Sequence, residues 1–172
     1  EFEIELELPY DFYIKHSLVN VHIWLLIDRL KRFAVRKEYK TAAQNLITSL
    51  LERFQEETTK RIKAIELQNQ RKFIKDSNNY TKRVRDALTY HFYNNEDAVA
   101  NPHFKLDALV WGSILFEKVH RYDRAVYKVA EYIIEHKQYL ETLSFEDIEK
   151  STVFWDVYRV PLDFRKRVLS VS

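Results

Sequence analysis

The chain of 172 residues is long enough to form one domain with a substantial core, and its 46% hydrophobic and 15% aromatic residues exclude a disordered chain. Charged residues make up 31% and the formal net charge is only +2, so overall charge does not indicate a nucleic-acid-binding protein. With no cysteine and a single glycine, Gly112, the chain has no means to form disulfides, thiolate metal sites or a glycine-rich phosphate loop.

The first eight residues, EFEIELEL, alternate strictly between glutamate and apolar residues. A period of two predicts a short strand with one face in water. The apolar face of this arm comprises Phe2, Ile4, Leu6 and Leu8. Because no second strand is visible, we expect the arm to pair with a partner chain or to lie extended across the helices. Pro9 ends it.

Three helices are predicted in the first half of the chain after the arm. The first runs from Asp11, a suitable N-cap residue, to about residue 33. Apolar residues at helical spacing then predict a second helix over about 38–67 and a third over about 77–93.

The sequence NNEDAVANPHFK, residues 94–105, interrupts this pattern and predicts a loop marked by Pro102. A fourth helix is predicted over 106–119. The fifth contains residues spaced by three and four that indicate a core stripe. This stripe comprises Tyr122, Val126, Val129, Ile133, His136, Leu140 and Leu143.

The sequence SFED, residues 144–147, resembles a capping box and predicts a short last helix. The predicted fold is therefore all-α, a single globular domain of about five to six helices over residues 9–151. An extended N-terminal arm, residues 1–8, precedes it, and an irregular C-terminal tail, residues 152–172, follows it.

The first helix contains two apolar arcs when it is projected at about 100° per residue. One arc comprises Ile14, Leu18, Val21 and Leu25; the other comprises Val19, Ile23, Leu26, Ile27 and Leu30. This predicts a helix packed on both sides, by its own domain or by one domain face and a partner. His22 and Trp24 project about 160° apart, so they are not expected to form one site.

Nothing in the sequence indicates catalysis. The motifs of serine hydrolases, zinc proteases and nucleotide-binding loops are missing, and the six histidines lack the spacing of a metal site. His136 falls in the core stripe, which favours a buried histidine over a ligand. We expect no catalytic residue, metal, cofactor or small-molecule substrate. No apolar run reaches the ~18–20 residues that span a bilayer, so we also expect a chain that does not cross the membrane.

Basic residues concentrate between positions 60 and 85, where only Glu66 and Asp76 are acidic. They are Lys60, Arg61, Lys63, Arg71, Lys72, Lys75, Lys82, Arg83 and Arg85. Two interpretations remain open. These residues form ordinary solvated helix faces, or they form a surface for an anionic partner such as ribosomal RNA, acidic lipid headgroups or an acidic protein.

Three blocks of sequence resemble the ubiquinol–cytochrome c reductase (complex III) assembly chaperone family. They are LPYDFYIKHSLVNVHIWLLIDRLKR near the N-terminus, NEDAVANPHFKLDALVWGSILF in the middle and AEYIIEHKQYLETLSFEDIEK near the end. The residues that match the motifs of the family are His22, Trp24, Arg29, Glu96, Asp97, Trp111, Glu131, Tyr132 and Tyr139.

The resemblance implies a helical, non-enzymatic protein on the matrix side of the mitochondrial inner membrane. Members of the family bind newly made cytochrome b near the mitochondrial ribosome and pass it on during complex III assembly. The expected partners are therefore cytochrome b or another inner-membrane subunit, with the mitochondrial ribosome or an anionic lipid surface as further candidates.

The sequence also departs from the pattern of this family. Gly112 and Ile134 stand where the family has arginines, and the acidic pair Glu96–Asp97 is in reversed order. These changes, together with the arm, leave a second hypothesis open: a permanent accessory subunit of a mitochondrial complex such as ATP synthase or a respiratory complex.

Overall fold

The computed structural model describes residues 12–69 and 74–150, which form an all-α fold, as predicted. The seven α-helices of these residues are α1 (Phe12–Ala34), α2 (Lys40–Asn69), α3 (Ile74–Thr89), α4 (Glu96–Ala100), α5 (Leu106–Leu109), α6 (Arg124–Thr142) and α7 (Phe145–Glu149). π-Helical turns extend α3 over Tyr90–Asn94 and α5 over Val110–Ile114. The predicted strand over residues 1–8 and the tail over 152–172 lie outside the described residues.

Helix α1 lies at the centre of the fold and packs against α2, α3 and α6. The arc formed by Ile14, Leu18, Val21 and Leu25 is buried, as predicted for one side of this helix. It contacts apolar side chains of α3, of α6 and of the π-helical turn after α5 in one large cluster. Each fully buried aliphatic side chain contributes roughly 1.5–3 kcal/mol relative to its exposed state, so this face determines where α1 lies.

A second apolar cluster joins the end of α1 to the start of α2 and to α7. Its buried members are Leu30, Phe33, Ala43, Phe145 and Ile148. The ring of Phe145 stacks on that of Tyr39 with 4.8 Å between centroids. Ser144 and Asp147 form the predicted capping box, which fixes the start of α7 against this cluster.

The predictions for one loop and one helix need correction. The predicted loop over 94–105 contains α4, which begins because the Asn95 side chain accepts a hydrogen bond from the Ala98 amide. The predicted helix over 106–119 ends at Ile114. The chain reverses after it because Phe116 and Glu117 have φ values of 52° and 59°, a left-handed conformation that does not continue a right-handed helix.

Four histidines are held by neighbouring groups inside the fold, among them the buried His91, whose Nε2 is 3.0 Å from the Pro102 carbonyl. His136 is buried, as predicted, and its Nδ1–H donates to the Tyr132 carbonyl at 3.1 Å. His16 lies between the rings of Phe12 and Phe54, and its Nε2 is 2.9 Å from the Thr81 hydroxyl. Burial, assisted by the nearby Arg61 charge, lowers the pKa of His16 to about 4. Burial also lowers the pKa of His22 to about 4.

Acidification should destabilise the protein through His16 and His22. Because the pKa of each is lowered from 6.5 to about 4, the unfolded chain binds protons in this range that the folded protein does not bind. Their contribution to stability is present above pH 6.5 and is lost as the pH falls towards 4. We expect the Tm, followed by the helical circular dichroism signal, to fall steadily across this range.

The variant His22→Gln keeps an acceptor for the Tyr132 hydroxyl and removes one titrating group, so its pH dependence should be shallower. The variant His103→Gln changes an exposed histidine and serves as the matched control, with the slope of the natural sequence. Identical slopes in all three proteins would contradict the assignment of this pH dependence to His22.

Candidate protein-binding groove

The family-motif residue His22 joins α1 to α6. Its Nδ1–H donates to the Leu18 carbonyl at 2.7 Å, and its Nε2 accepts a hydrogen bond from the Tyr132 hydroxyl. This arrangement requires a neutral ring, in agreement with the lowered pKa of His22, which results from burial. His22 and Tyr132 are thus brought together by the fold, and their pairing is a structural contact between two helices.

Trp24 lies on another side of α1, so it forms no joint site with His22, as predicted. Its indole Nε1–H donates to the Thr89 hydroxyl at 3.1 Å, and its ring stacks on Phe92 at 5.6 Å between centroids. These contacts attach α1 to α3 and to the π-helical turn that follows it.

Arg29 and Tyr139 also have structural roles. The Arg29 Nη2 donates to the Leu143 carbonyl at 2.6 Å, beyond the last residue of α6, and its guanidinium lies 4.3 Å from the Phe33 ring centroid. A cation at this position satisfies a carbonyl at the end of a helix and interacts favourably with the helix dipole. Tyr139 is buried on α6.

The other motif residues do not converge on one site. Glu96 and Asp97 are exposed at the start of α4, and Glu131 is exposed on α6. Among the ion pairs formed within the described residues, none includes these three carboxylates. Trp111 is partly buried, and its Nε1–H closes the turn after α5 by donating to the Val119 carbonyl at 3.0 Å.

The two positions that depart from the family differ in their surroundings. A Cβ added at Gly112 would meet no atom within 4 Å, and the Gly112 carbonyl accepts a hydrogen bond from Arg83 Nη2 at 2.8 Å. Ile134 is buried in the large apolar cluster. One position therefore borders open space, and the other is filled by apolar packing.

The basic stretch is only partly described. Arg71 and Lys72 lie between the described segments, and the side chain of Lys75 is also outside them. Lys60 pairs with Glu57 at 3.0 Å, Arg85 pairs with Asp86 at 3.2 Å, and Arg83 binds the Gly112 carbonyl. Arg61, Lys63 and Lys82 are exposed. An anionic-partner face at this end of α2 and α3 stays a prediction.

A groove between α1, α2 and α3 was not identified from the sequence. It has a volume of about 740 Å³. Ile23, Trp24 and Ile27 of α1 line it from one side, with Leu51 and Phe54 of α2 opposite them. Further lining residues, from α3 and the turn after it, are Thr81, Arg85, Asp86, Thr89, Tyr90, Tyr93 and Asn94. We call this feature the α1 groove.

The α1 groove gathers exposed apolar side chains. Seven large hydrophobic residues are exposed in the described part of the chain, and four of them line this groove. The four are Val35 (86% exposed), Leu51 (45%), Tyr90 (59%) and Tyr93 (46%). Exposed apolar residues that are scattered singly need no explanation, whereas a cluster around a concavity is typical of a binding surface.

The sequence carried one signal for the α1 groove, the second apolar arc of α1. Leu30 of this arc is buried, and Leu26 packs against the second cluster. Ile23 and Ile27, in contrast, are only partly buried and line the groove. The expectation of a helix packed on both sides therefore holds at one end of this arc, while its middle faces the groove.

A network of charged side chains forms one end of the α1 groove. Lys137 Nζ lies 3.2 Å from Asp28 Oδ2, and both side chains are largely buried, at 13% and 14% exposure. The Tyr93 hydroxyl donates to the other carboxylate oxygen of Asp28 and accepts a hydrogen bond from Arg32 Nη2 at 3.1 Å. Arg32 also pairs with Glu141 at 3.1 Å. The network joins α1, α6 and the turn that carries Tyr93.

The ion pair between Lys137 and Asp28 should contribute measurably to stability. Replacing Lys137 by Met keeps most of the apolar stem but leaves Asp28 with only its longer ionic contact to Arg32, at 3.7 Å, so we expect a cost of about 1–3 kcal/mol in urea unfolding. The double variant Lys137→Met with Asp28→Asn should lose less than the sum of the two single losses. Lys60→Met removes an exposed pair and should change stability little. Strictly additive losses would show that the two groups are not coupled.

Within the described residues, no group of carboxylate and histidine side chains is arranged to hold a metal ion. The helices there also include none with the length and hydrophobicity that crossing a bilayer requires.

Comparison with known proteins agrees with the motifs. Residues 5–155 match the family model described as ubiquinol-cytochrome C chaperone. This span contains all three blocks of sequence that resemble the family. No curated protein and no solved structure matches the chain. Because the match covers most of the 172 residues, the chain belongs to the ubiquinol-cytochrome C chaperone family.

Proposed function

We propose that this protein is a non-catalytic assembly chaperone that binds newly made cytochrome b for complex III assembly, on the matrix side of the mitochondrial inner membrane. Family membership supports the class of function. The observation that carries the proposal is the α1 groove, which gathers four of the seven exposed large hydrophobic residues of the described chain.

The chemistry of the groove suits an apolar segment of a membrane protein before that segment is inserted or paired. Ile23 and Ile27 offer aliphatic contacts, and Tyr90 and Tyr93 place amphipathic rings at the edge, where one side of each ring meets water. Binding in such a groove would cover apolar surface of both molecules, which is the main favourable contribution to association. We place the client contact here.

The basic residues of α2 and α3 supply a second element of the proposal. Arg61, Lys63 and Lys82 are exposed, and we propose that they face an anionic surface, such as ribosomal RNA or lipid headgroups, while the groove holds the client.

A permanent accessory subunit of a mitochondrial complex is the second candidate function. The surroundings of Gly112 and Ile134 favour it. The family resemblance implies an arginine at each position, whereas Gly112 borders open space and Ile134 packs in the apolar core. A surface changed in this way suits a domain that keeps the fold of the family and has a new, lasting partner.

Charged substitutions at the edge of the α1 groove should weaken client binding without unfolding the protein. Val35→Asp and Leu51→Asp alter exposed positions, so their effect on stability should be small. An aspartate would lose its hydration when an apolar segment covers it, so we expect at least tenfold less cytochrome b recovered. The measurement is co-purification of newly translated cytochrome b with the tagged protein from mitochondria.

Val99→Asp and Tyr122→Asp are matched controls for these variants. Both positions are exposed hydrophobic residues outside the groove, and recovery of cytochrome b should be unchanged. Equal recovery with the groove variants and with these controls would rule out the groove as the client site.

Stoichiometry should separate the two candidate functions. A transient chaperone should be absent from purified mature complexes and should cross-link to newly made cytochrome b. An accessory subunit should be present at one copy per mature complex. Quantitative mass spectrometry of purified mitochondrial complexes measures this ratio, and a value near one would overturn the chaperone proposal in favour of the second candidate.

A further inference from the structure

The acidic arm EFEIELEL and a second depression of the described structure have no part in the function proposed so far. This depression has a volume of about 330 Å³ and lies where α1 begins. Phe12 and Val19 of α1 line it, together with Phe54 and Arg61 of α2. Because Phe54 also lines the α1 groove, the two features share one wall. Helix α1 begins at Phe12, at the edge of this depression, and residues 9–11 connect it to the arm in the sequence.

The arm is long enough to reach the α1 groove. Helix α1 rises about 1.5 Å per residue, so Phe12 and Ile23 are separated by about 17 Å along the helix axis. An extended chain covers about 3.3 Å per residue, so about five residues cross that distance. Pro9 to Asp11 and one or two residues before them suffice, and the remaining residues of the arm can lie along the groove.

Charge favours this arm as the occupant of the groove. The side chains that line the groove and the second depression include five basic and three acidic groups. All three acidic groups are already paired, Asp28 with Lys137, Asp86 with Arg85 and Glu57 with Lys60. The basic groups are Lys15, Lys31, Arg32, Arg61 and Arg85. Of the basic groups, Arg85 and Arg32 are also paired, with Asp86 and Glu141. Residues 1–8 carry four glutamates and no basic residue, which complements this excess.

The other terminal segment fits less well. Residues 151–172 also contain apolar and aromatic side chains, but they carry four basic residues against two acidic ones. Like charges brought together across an interface are unfavourable, so the basic lining disfavours this segment. The arm and the tail are thus distinguished by the sign of their charge.

We propose that residues 1–6 occupy the α1 groove of the free protein, that Glu7 and Leu8 belong to the crossing from Phe12, and that a client segment must displace the arm. Phe2, Ile4 and Leu6 form the apolar face that contacts Ile23 and Ile27, and the glutamates between them reach Lys31 and Arg85 at the edges. The displacement by a client rests on the proposed function; the docking of the arm does not.

Distances between spin labels test the docking in the free protein. Because the protein has no cysteine, two introduced cysteines are the only sites of labelling. Labels at Glu5→Cys, on the solvent face of the arm, and Asn94→Cys, beside the groove, should give a narrow distance distribution. A second pair, Glu5→Cys with Glu131→Cys on α6, gives an independent distance. Broad distributions for both pairs would overturn the proposal.

Charge variants show whether the narrow distribution comes from the groove. Lys31→Glu with Arg85→Glu should broaden it by repelling the arm, and adding Glu1→Lys, Glu3→Lys and Glu7→Lys should restore it. Lys118→Glu with Lys150→Glu makes the same change of charge at exposed positions away from the groove and is the matched control. A distribution that is unchanged by the groove variants would overturn the proposed site.

Deletion of residues 1–8 tests the regulatory role. Recovery of newly made cytochrome b should rise about threefold or more, because the client no longer competes with the arm. Unchanged recovery would overturn the role of the arm as a competitor. If neither the intact nor the shortened chain binds cytochrome b, the proposed function is wrong. The spin-label distances then still show whether the arm docks in the groove.

Discussion

The division of the α1 surface between core and groove is the constraint on which the rest of the structure depends. Ile14, Val21 and Leu25 are almost fully buried, and their face determines the position of the helix. Ile23 and Ile27 then point towards α2 and α3, which approach α1 there without closing over it. The apolar residues on this second side are only partly buried by the domain itself, so only part of their favourable free energy of burial contributes to folding. Burial of their remaining exposed surface would stabilise the binding of a segment in the groove.

Polar contacts around α1 explain why the family-motif residues are dispersed. His22 binds Tyr132 of α6, Trp24 binds Thr89 of α3, and Arg29 binds the carbonyl that follows the last turn of α6. A rotation of α1 by one residue, about 100°, would break all three contacts and leave buried polar groups without partners. The motif therefore specifies one orientation of the helix. The same orientation presents Ile23 and Ile27 to the groove, so residues outside the groove determine its composition.

The sequence predicts those parts of the structure that local patterns determine. The long helices follow from apolar spacing, and α7 follows from its Ser144–Asp147 capping box. The end of the helical stretch at Ile114 was missed because the left-handed residues after it are Phe116 and Glu117, whereas glycine or asparagine usually marks such a turn. The sequence indicated the groove only through the second apolar arc of α1. Leu51 and Tyr90 line the groove together with Ile23 because tertiary packing brings distant parts of the chain together. The hydrogen bond from Arg83 to the Gly112 carbonyl could not be predicted either, because it joins positions that are 29 residues apart in the sequence.

An apolar groove in a protein without its partner poses a physical problem, since its walls could close or attract other chains. The first outcome is opposed by the network of Asp28, Lys137 and Tyr93, which joins α1 to α6 at one end of the groove. Closing the groove there would displace Tyr93, whose hydroxyl donates to the largely buried Asp28 carboxylate, and losing a hydrogen bond to a charged group costs about 1.5–3 kcal/mol. The proposed docking of the arm would oppose the second outcome, because the arm would cover the groove until a client displaces it. An attached segment has a high local concentration, so weak contacts are enough to keep it in place. Exchange with a client then costs little, because the client replaces the apolar contacts that the segment gives up.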